Sequence, residues 1–373
     1  MEKDNYLHTN SSKQVVIFGG GPAGTATAIT LAARGVPTIV LEANPTVRSK
    51  IGEVLSANVK PLLNKMGLNK LVDSSTHLPC YGNRFLWGSS QPRDNLFIDR
   101  PLNRGWHLNR TDFETKLSQL SISLGVKWFW NCKLLEVRSL ESKWEVLVQY
   151  RGKIHSLEAN FLVDATGRKA KLARYLGRAR KYYDRCVGLA CYFFLEDIEH
   201  IPLYTHIEAV ADGWWYAALL ADRRLVTVFM TDGDLVERAW HQVEPYWQKL
   251  QQTKLIKTLF STDRLPNYAR GVFAKSAQTS CLVSPVGEGW LAVGDAAFAY
   301  DPISSYGISS AMGGGYYAGN AIADYLRGRQ EAIPAYRMVT ERAFCNYLPL
   351  WRYQYLQEQR WVAGTFWRRR HQQ

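Results

Sequence analysis

The sequence predicts an α/β fold: a doubly wound, Rossmann-like domain that carries an inserted β-sheet domain and ends in a helical C-terminal segment. Three observations predict it. First, the apolar run Val15-Val16-Ile17-Phe18 ends in Gly19-Gly20-Gly21-Pro22-Ala23-Gly24, and a small-residue helix then leads to a second apolar run, Thr38-Ile39-Val40-Leu41, capped by Glu42. Strand, glycines, helix and acid stand in the register of a dinucleotide-binding βαβ unit. Second, two later apolar runs end in tight acidic turns, Phe161-Leu162-Val163 in Asp164-Ala165-Thr166-Gly167 and Gly289-Trp290-Leu291-Ala292-Val293 in Gly294-Asp295-Ala296-Ala297. Third, from about Val187 to Phe273 the pattern changes to strand-like segments with one helix near Leu235 to Leu259, the natural substrate domain.

In the first unit, Gly19 allows the tight turn after the strand, Gly21 lets the backbone approach a pyrophosphate, and Gly24 lets the helix pack close to the sheet. Pro22 and Ala23 open that helix, whose free N–H groups and positive dipole end suit phosphate. Glu42, eighteen residues past Gly24, is placed to accept hydrogen bonds from an adenosine ribose and would repel a 2′-phosphate. That points to FAD or NAD over NADP. After Arg48-Ser49-Lys50-Ile51-Gly52-Glu53 comes a helix near Asn58 to Met66, then loops and short strands over 78–105. Trp106-His107-Leu108-Asn109-Arg110 introduces a helix with Asp112 near its start and Phe113, Leu117 and Leu120 at helical spacing. Trp144 to Tyr150 and His155 to Asn160 flank a turn at Arg151-Gly152, and Gly213-Trp214-Trp215-Tyr216 and Arg224 to Met230 read as neighbouring strands. Gly294-Asp295, followed by Asp301-Pro302-Ile303-Ser304-Ser305-Tyr306-Gly307-Ile308, selects a flavin, because an acid so far from the fingerprint suits the ribityl hydroxyls of FAD and NAD has no such chain. A helix starting near Gly307 would aim its N–H groups at the flavin edge and stabilise the charge of the reduced ring. The tail, Ile333 to Gln373, reads as helical, aromatic and arginine-rich.

The expected division is a cofactor domain over 1–75, 106–180 and 281–332, a substrate domain over 76–105 and 181–280, and a C-terminal segment over 333–373. A length of 373 residues accommodates this. No apolar run reaches the length of a membrane span, and Met1 to Gln14 lacks the apolar core of a signal peptide, so a cytoplasmic protein is expected. The six cysteines show no CxxC and no metal-ligand spacing; they read as reduced thiols, and no metal is expected. The net charge of +13 comes without a nucleic-acid motif and is read as protein docking or solubility.

On the glycine fingerprint, the Arg110 helix start, the Asp164-Ala165-Thr166-Gly167 turn and Gly294-Asp295 with Asp301-Pro302, the chain resembles a flavoprotein group. The group contains aromatic hydroxylases, flavin-dependent halogenases and geranylgeranyl-type reductases, and the resemblance covers almost the whole length. It implies FAD between the two domains, contacted by Arg110, with Pro302, Gly307 and Ile308 bordering the isoalloxazine ring. There are departures. Simple nicotinamide-using hydroxylases usually carry aspartate where this chain has Thr166, so a partner reductase or another donor is as good a source of electrons as direct reduction. The halogenase Trp-x-Trp-x-Ile-Pro pattern is broken at Trp214-Trp215-Tyr216-Ala217-Ala218-Leu219. The segment Thr76 to Trp87, where a halogenase lysine is expected, has none, and bulky Tyr306 precedes the glycine where a small residue is usual. Within the group the likeness is closest to the flavoproteins that mature cysteine tryptophylquinone in lysine- and glycine-oxidising enzymes, through Ile51-Gly52-Glu53-Val54-Leu55, Trp106-His107-Leu108-Asn109-Arg110 and Gly213-Trp214-Trp215-Tyr216. It implies a tryptophan side chain of a precursor oxidase as substrate and oxygen insertion into its indole.

Candidate residues follow from that chemistry. Activated oxygen must be kept dry and aimed at an electron-rich ring, a task of orientation and water exclusion. Trp214, Trp215 and Tyr216 are candidates to line the cavity, against the alternative that an aromatic strand is plain core. Tyr306 borders the flavin face or only packs. Glu53 binds cofactor, acts on a proton, or caps a helix. The cofactor set is Gly19, Gly21, Pro22, Ala23, Gly24, Glu42, Arg110, Asp164, Ala165, Gly167, Gly294, Asp295, Pro302, Gly307 and Ile308. The tail, with Trp351, Tyr355, Trp361, Trp367 and Arg368-Arg369-Arg370, serves a docking surface or packs on its own domain. Two other functional readings stand: turnover of a small aromatic or isoprenoid substrate, halogenation included, and a flavin-binding assembly factor without chemistry.

Overall fold

Strands apolar on both faces need cover on each side, and in the fingerprint region helices cover one face and an antiparallel meander the other. The computed structural model describes residues 13–73, 75–97, 104–268 and 270–372; most of the polar N-terminal stretch and residues 98–103 of the expected substrate domain lie outside them. A six-stranded sheet runs in the order Val286–Gly287, Trp290–Ala292, Phe161–Asp164, Val15–Phe18, Thr38–Glu42, Lys127–Trp130. Its neighbours pair parallel except the first two strands. Helices Pro22–Ala33 and Gly307–Tyr325 pack against each other through small residues: a Cβ on Gly315 would lie 2.5 Å from the Ala23 carbonyl oxygen, and one on Gly319 would lie 2.6 Å from Thr30 Cβ. The helix Arg110–Ser123 starts as its sequence predicts, with the Asn109 side chain accepting from the Asp112 N–H. A three-stranded antiparallel meander, Lys133–Ser139, Trp144–Tyr150 and Lys153–Ala159, joins this half of the molecule.

The middle of the chain builds a seven-stranded sheet in the order Phe273–Ser276, Cys186–Phe194, Arg224–Asp232, Gly213–Leu219, Tyr204–Val210, Gly82–Leu86, Arg93–Leu96. Alternation along these strands gives the sheet two packed faces. The inner face contributes Tyr192, Trp214, Val226, Val228 and Met230 to the main core; the outer face contributes Trp215, Phe229 and Phe193 to a second core closed by Trp240, Tyr246 and Trp247. The single helix expected over 235–259 is shorter, Val243–Gln251, with one-turn 3-10 segments at Arg238–His241 and Ile256–Leu259 on either side. Gln242 is extended at its start, and Pro245 in the first turn is tolerated because those N–H groups have no intrahelical partner.

The tail forms the helices Ala332–Leu356 and Thr365–His371 and folds back across both halves. Trp351, Tyr355, Phe366 and Trp367 are buried, and Trp87 packs edge-on against Trp214, Tyr355 and Trp367. Of the two readings of the tail, its large aromatics take the packing one, while Leu350, Tyr353 and Val362 remain exposed. Six cysteines are free, with Cys345 exposed.

Candidate functional site

The turn after Val15–Phe18 is set by backbone proximity. Gly19 has φ +104° and a Cβ there would lie 2.4 Å from the Ala165 oxygen, while one on Gly24 would lie 2.0 Å from the Gly19 oxygen. A Cβ on Gly21, by contrast, would meet only Lys50 Nζ at 3.9 Å, so the space before the helix N-terminus is open and flanked by a cation. Glu42 accepts from the Gly20 N–H at 2.8 Å and, through its other oxygen, from Asn44. Beside Gly20 stands Trp128, stacked on Trp130 with centroids 4.9 Å apart.

Arg110 is linked to Lys50 through a shared acid. Its guanidinium donates to the Gly52 carbonyl at 2.7 Å and to the Glu114 carboxylate, and its Nε is buried with no partner. Glu114 also takes Lys50 Nζ at 2.5 Å. Burial pushes the Glu114 carboxyl up, but Arg110 and Lys50 outweigh it and hold the group below the ordinary carboxylate range. Lys50 and Glu114 were not among the expected residues; Glu114 lies one helical turn beyond Arg110, the spacing at which an acid and a base meet.

The second acidic turn lies beside the first helix. Gly294 has φ +61° and a Cβ on it would sit 2.7 Å from Ala23 Cβ. Asp295 keeps its carboxylate partly exposed, 3.3 Å from Arg168 Nε. The loop that follows is anchored by buried Asp301, whose Oδ2 accepts from Trp351 Nε1 and the Tyr355 hydroxyl, each at 3.0 Å, and whose Oδ1 accepts from the Ile303 N–H at 2.9 Å. Pro302 opens a 3-10 turn and Gly307 the long helix; a Cβ on Gly307 would meet nothing within 4 Å, and Ser309 Oγ in the first turn is buried without a partner. Tyr306 is 40% exposed and edge-on to Tyr300 at 6.3 Å.

Several of the expected residues are held by protein neighbours. Asp164 is fully buried behind its turn, where Thr166 donates twice to one oxygen and the Ala173 N–H to the other at 2.8 Å; burial raises its pKa. Its neighbours are the turn itself, and Ala165 supplies the close backbone contact to Gly19 and Gly24 while Gly167, at φ +66°, opens outward. Ile308 points its side chain into the core with Met312, Leu55 and Val59. Trp215 cannot share a cavity with its neighbours. Strand alternation turns it to the outer face, against Phe229 and Tyr246, whereas Trp214 and Tyr216 face inward. Trp214 is itself core, 1% exposed, and donates to the Tyr355 hydroxyl at 3.0 Å.

Where the seven-stranded sheet meets the segments around Glu53, Cys80 and His107, its inner face holds a buried polar cluster. Glu53 is 2% exposed; Tyr192 donates to its Oε1 at 2.8 Å and the Gly52 N–H to its Oε2 at 2.9 Å. Burial raises the Glu53 pKa, against the lowering influence of Tyr192 and Arg110. The Tyr216 hydroxyl is buried with no partner, within electrostatic range of Glu53, Cys80 and Tyr192. His107 donates from or accepts at Nε2 to Thr205 Oγ1 at 3.2 Å, and its Nδ1 lies 3.1 Å from the Leu219 carbonyl. That carbonyl only accepts, so Nδ1 carries a proton. Burial pushes the Cys80 thiol up, and His107 beside it more than reverses that. Tyr192 could not be found from the sequence, because nothing local marks it as the partner of a residue 139 positions away.

Among the described residues no helix is long and apolar enough to cross a membrane, and no group of three His, Cys, Asp or Glu is arranged to hold a metal ion. A family model described as FAD binding domain matches residues 12–342. The protein LodB of Marinomonas mediterranea is 28% identical over 364 residues, covering 96% of this chain and 97% of that protein. The structure of QhpG, a peptidyl tryptophan dihydroxylase essential for tryptophylquinone cofactor biogenesis, superposes with a TM-score of 0.78 at 26% identity over 96% of this chain and 79% of that one. The myxobacterial chondrochloren halogenase CndH matches in fold, with a TM-score of 0.87 at 22% identity over 96% of this chain and 86% of that one.

Proposed function

This chain belongs to the FAD binding domain family and is a FAD-dependent oxidoreductase, and from that premise we propose that it hydroxylates a tryptophan side chain of a precursor oxidase during cysteine tryptophylquinone biogenesis. The observation that carries the reading is the likeness, over nearly the full length of this chain, to a peptidyl tryptophan dihydroxylase. The halogenase CndH superposes more closely, at 0.87 against 0.78, though at lower identity, so the choice between oxygen and halogen rests on this chain's own residues. Between Thr76 and Trp87 there is no lysine, and the one arginine, Arg84, is held by Asp94 through two contacts of 2.7 Å. Tyr306 occupies the loop position before Gly307.

The residues present fit FAD. The open space at Gly21 with Lys50 beside it, the unpartnered Arg110 Nε, the partly exposed Asp295 carboxylate and the unpartnered Ser309 Oγ are the marks of a cradle awaiting an anionic, hydroxyl-bearing group. Gly19, Gly21, Pro22, Ala23 and Gly24 would receive the pyrophosphate at the helix N-terminus, Glu42 the ribose, Arg110 and Lys50 the phosphate charge, and Asp295 the ribityl chain. Pro302 and Gly307 would border the ring, with the helix dipole directed at its edge. Bound FAD supplies the activation of dioxygen. The chain's part is to hold an electron-rich ring against the inner sheet face, to exclude water there, and to keep Glu53 buried beside it, where burial favours the protonated form of its carboxyl.

The protein substrate would be a precursor quinone-cofactor oxidase. The test is to supply reduced flavin, dioxygen, bromide and that precursor. Oxygen on a tryptophan and no bromine is the expected product; bromination would transfer the chain to the halogenases.

A further inference from the structure

We propose that Tyr216 recognises the substrate through the indole nitrogen, the phenol oxygen accepting the hydrogen bond of the indole N–H at the inner face of the seven-stranded sheet. The inference rests on the reading of tryptophan as substrate. Its starting point is an unpaired group: the Tyr216 hydroxyl is buried without a hydrogen-bond partner, while the residue as a whole keeps part of its surface open. A buried hydroxyl left unpaired costs about 1–3 kcal/mol, a cost that a ligand supplying the missing bond removes.

The surroundings say what the ligand must be. Tyr216 shares the inner sheet face with Ile207 and Val228, its register partners, and with Trp214 and Ala218. This wall is apolar. Glu53, Tyr192 and Cys80 stand around the hydroxyl, and both Glu53 oxygens already have donors. An aromatic ring lying on an apolar wall with one polar edge aimed at a single phenol matches a bicyclic ring with one N–H. An isoprenoid chain has no donor to offer, and the choice of indole N–H over a phenolic O–H follows from the reading of tryptophan as substrate. Selection through a buried polar group is also the kind that discriminates strongly, because a ligand lacking the donor leaves the phenol unpaired.

The experiment uses holoenzyme and two probes, N-acetyl-tryptophanamide and the same compound methylated on the indole nitrogen, in wild type and Tyr216→Phe. Equilibrium binding is measured for all four pairs. Wild type should favour the N–H probe by about tenfold, the value of one buried hydrogen bond, and Tyr216→Phe should bind both alike. A folding defect would weaken both probes together and leave the ratio untouched, and the flavin absorbance spectrum reports that FAD is still held. Equal affinities in wild type, a preference retained in Tyr216→Phe, or no binding of either probe overturns the proposal. Oxygen transfer to the precursor by wild type is a separate readout, so the role of Tyr216 can fail while the proposed function stands.

Discussion

Glu53 shows how burial alone prepares a residue for proton work. The fold removes its carboxyl from water and gives it two neutral donors, and the net effect is to favour the protonated form. The sign of the linked stability follows. A folded-state pKa raised above the usual 4.5 means that stability is full in acid and is lost as pH climbs through the raised value. Glu53→Gln cannot ionise, so relative to wild type it should gain stability progressively from about the usual 4.5 up to the raised value and hold that gain at higher pH. Denaturant unfolding of both proteins across the acid-to-neutral range checks this, and parallel curves would show that Glu53 ionises freely. In the same protein the pH profile of oxygen transfer should flatten. At the cofactor end, Arg110→Met removes a cation held by Gly52 and Glu114, and the expected result is a weakening of FAD affinity by tenfold or more, read from flavin fluorescence; an unchanged affinity would remove Arg110 from the cradle.

At the scale of elements, the pairing of the first helix with Gly307–Tyr325 fixes the distance between the fingerprint turn and the acidic turn at Gly294-Asp295. Four contacts at Gly24, Gly294, Gly315 and Gly319 leave no room for a side chain. Gly315→Val should cost about 1–3 kcal/mol in denaturant unfolding, and weaken FAD binding with it, because the helix must shift to admit the branch. Gly35→Ala, where a Cβ meets nothing, isolates the other effect: with φ +70° it should lose stability through backbone strain alone and leave FAD binding unchanged. These close contacts were legible in the sequence at Gly19 and Gly24, where spacing within one βαβ unit carries the information. Trp215 takes the plain-core alternative, and the reason lies in its strand position. Three adjacent aromatics look like one patch in a sequence, yet a strand sends its middle member to the other face.

For the whole molecule, the tail is the element that joins cofactor loop to substrate sheet. Asp301 is tied to Trp351 and Tyr355, Tyr355 receives Trp214, and buried Arg370 donates to Asp232 at 2.9 Å. Arg369 also pairs with Asp232. Removing the acid therefore strands Arg370 inside the protein, whereas removing Arg370 leaves the acid a partner. Asp232→Ala should cost about 3–5 kcal/mol and Arg370→Met distinctly less, an order that thermal or denaturant unfolding checks. None of this was legible beforehand. The partners are separated by 138 positions in one case and 54 in another, and a run of arginines reads equally well as a docking surface. Composition did record that the tail was aromatic; only packing decides which aromatics it buries.

The central claim is that this chain oxidises a tryptophan in another protein. Its most direct test is the intact mass of the precursor oxidase produced with and without this chain, followed by peptide mapping. The account predicts added oxygen on one tryptophan only when the chain is present. An unchanged precursor mass, with reduced flavin and dioxygen supplied, would contradict it and leave a small aromatic molecule as the substrate to seek.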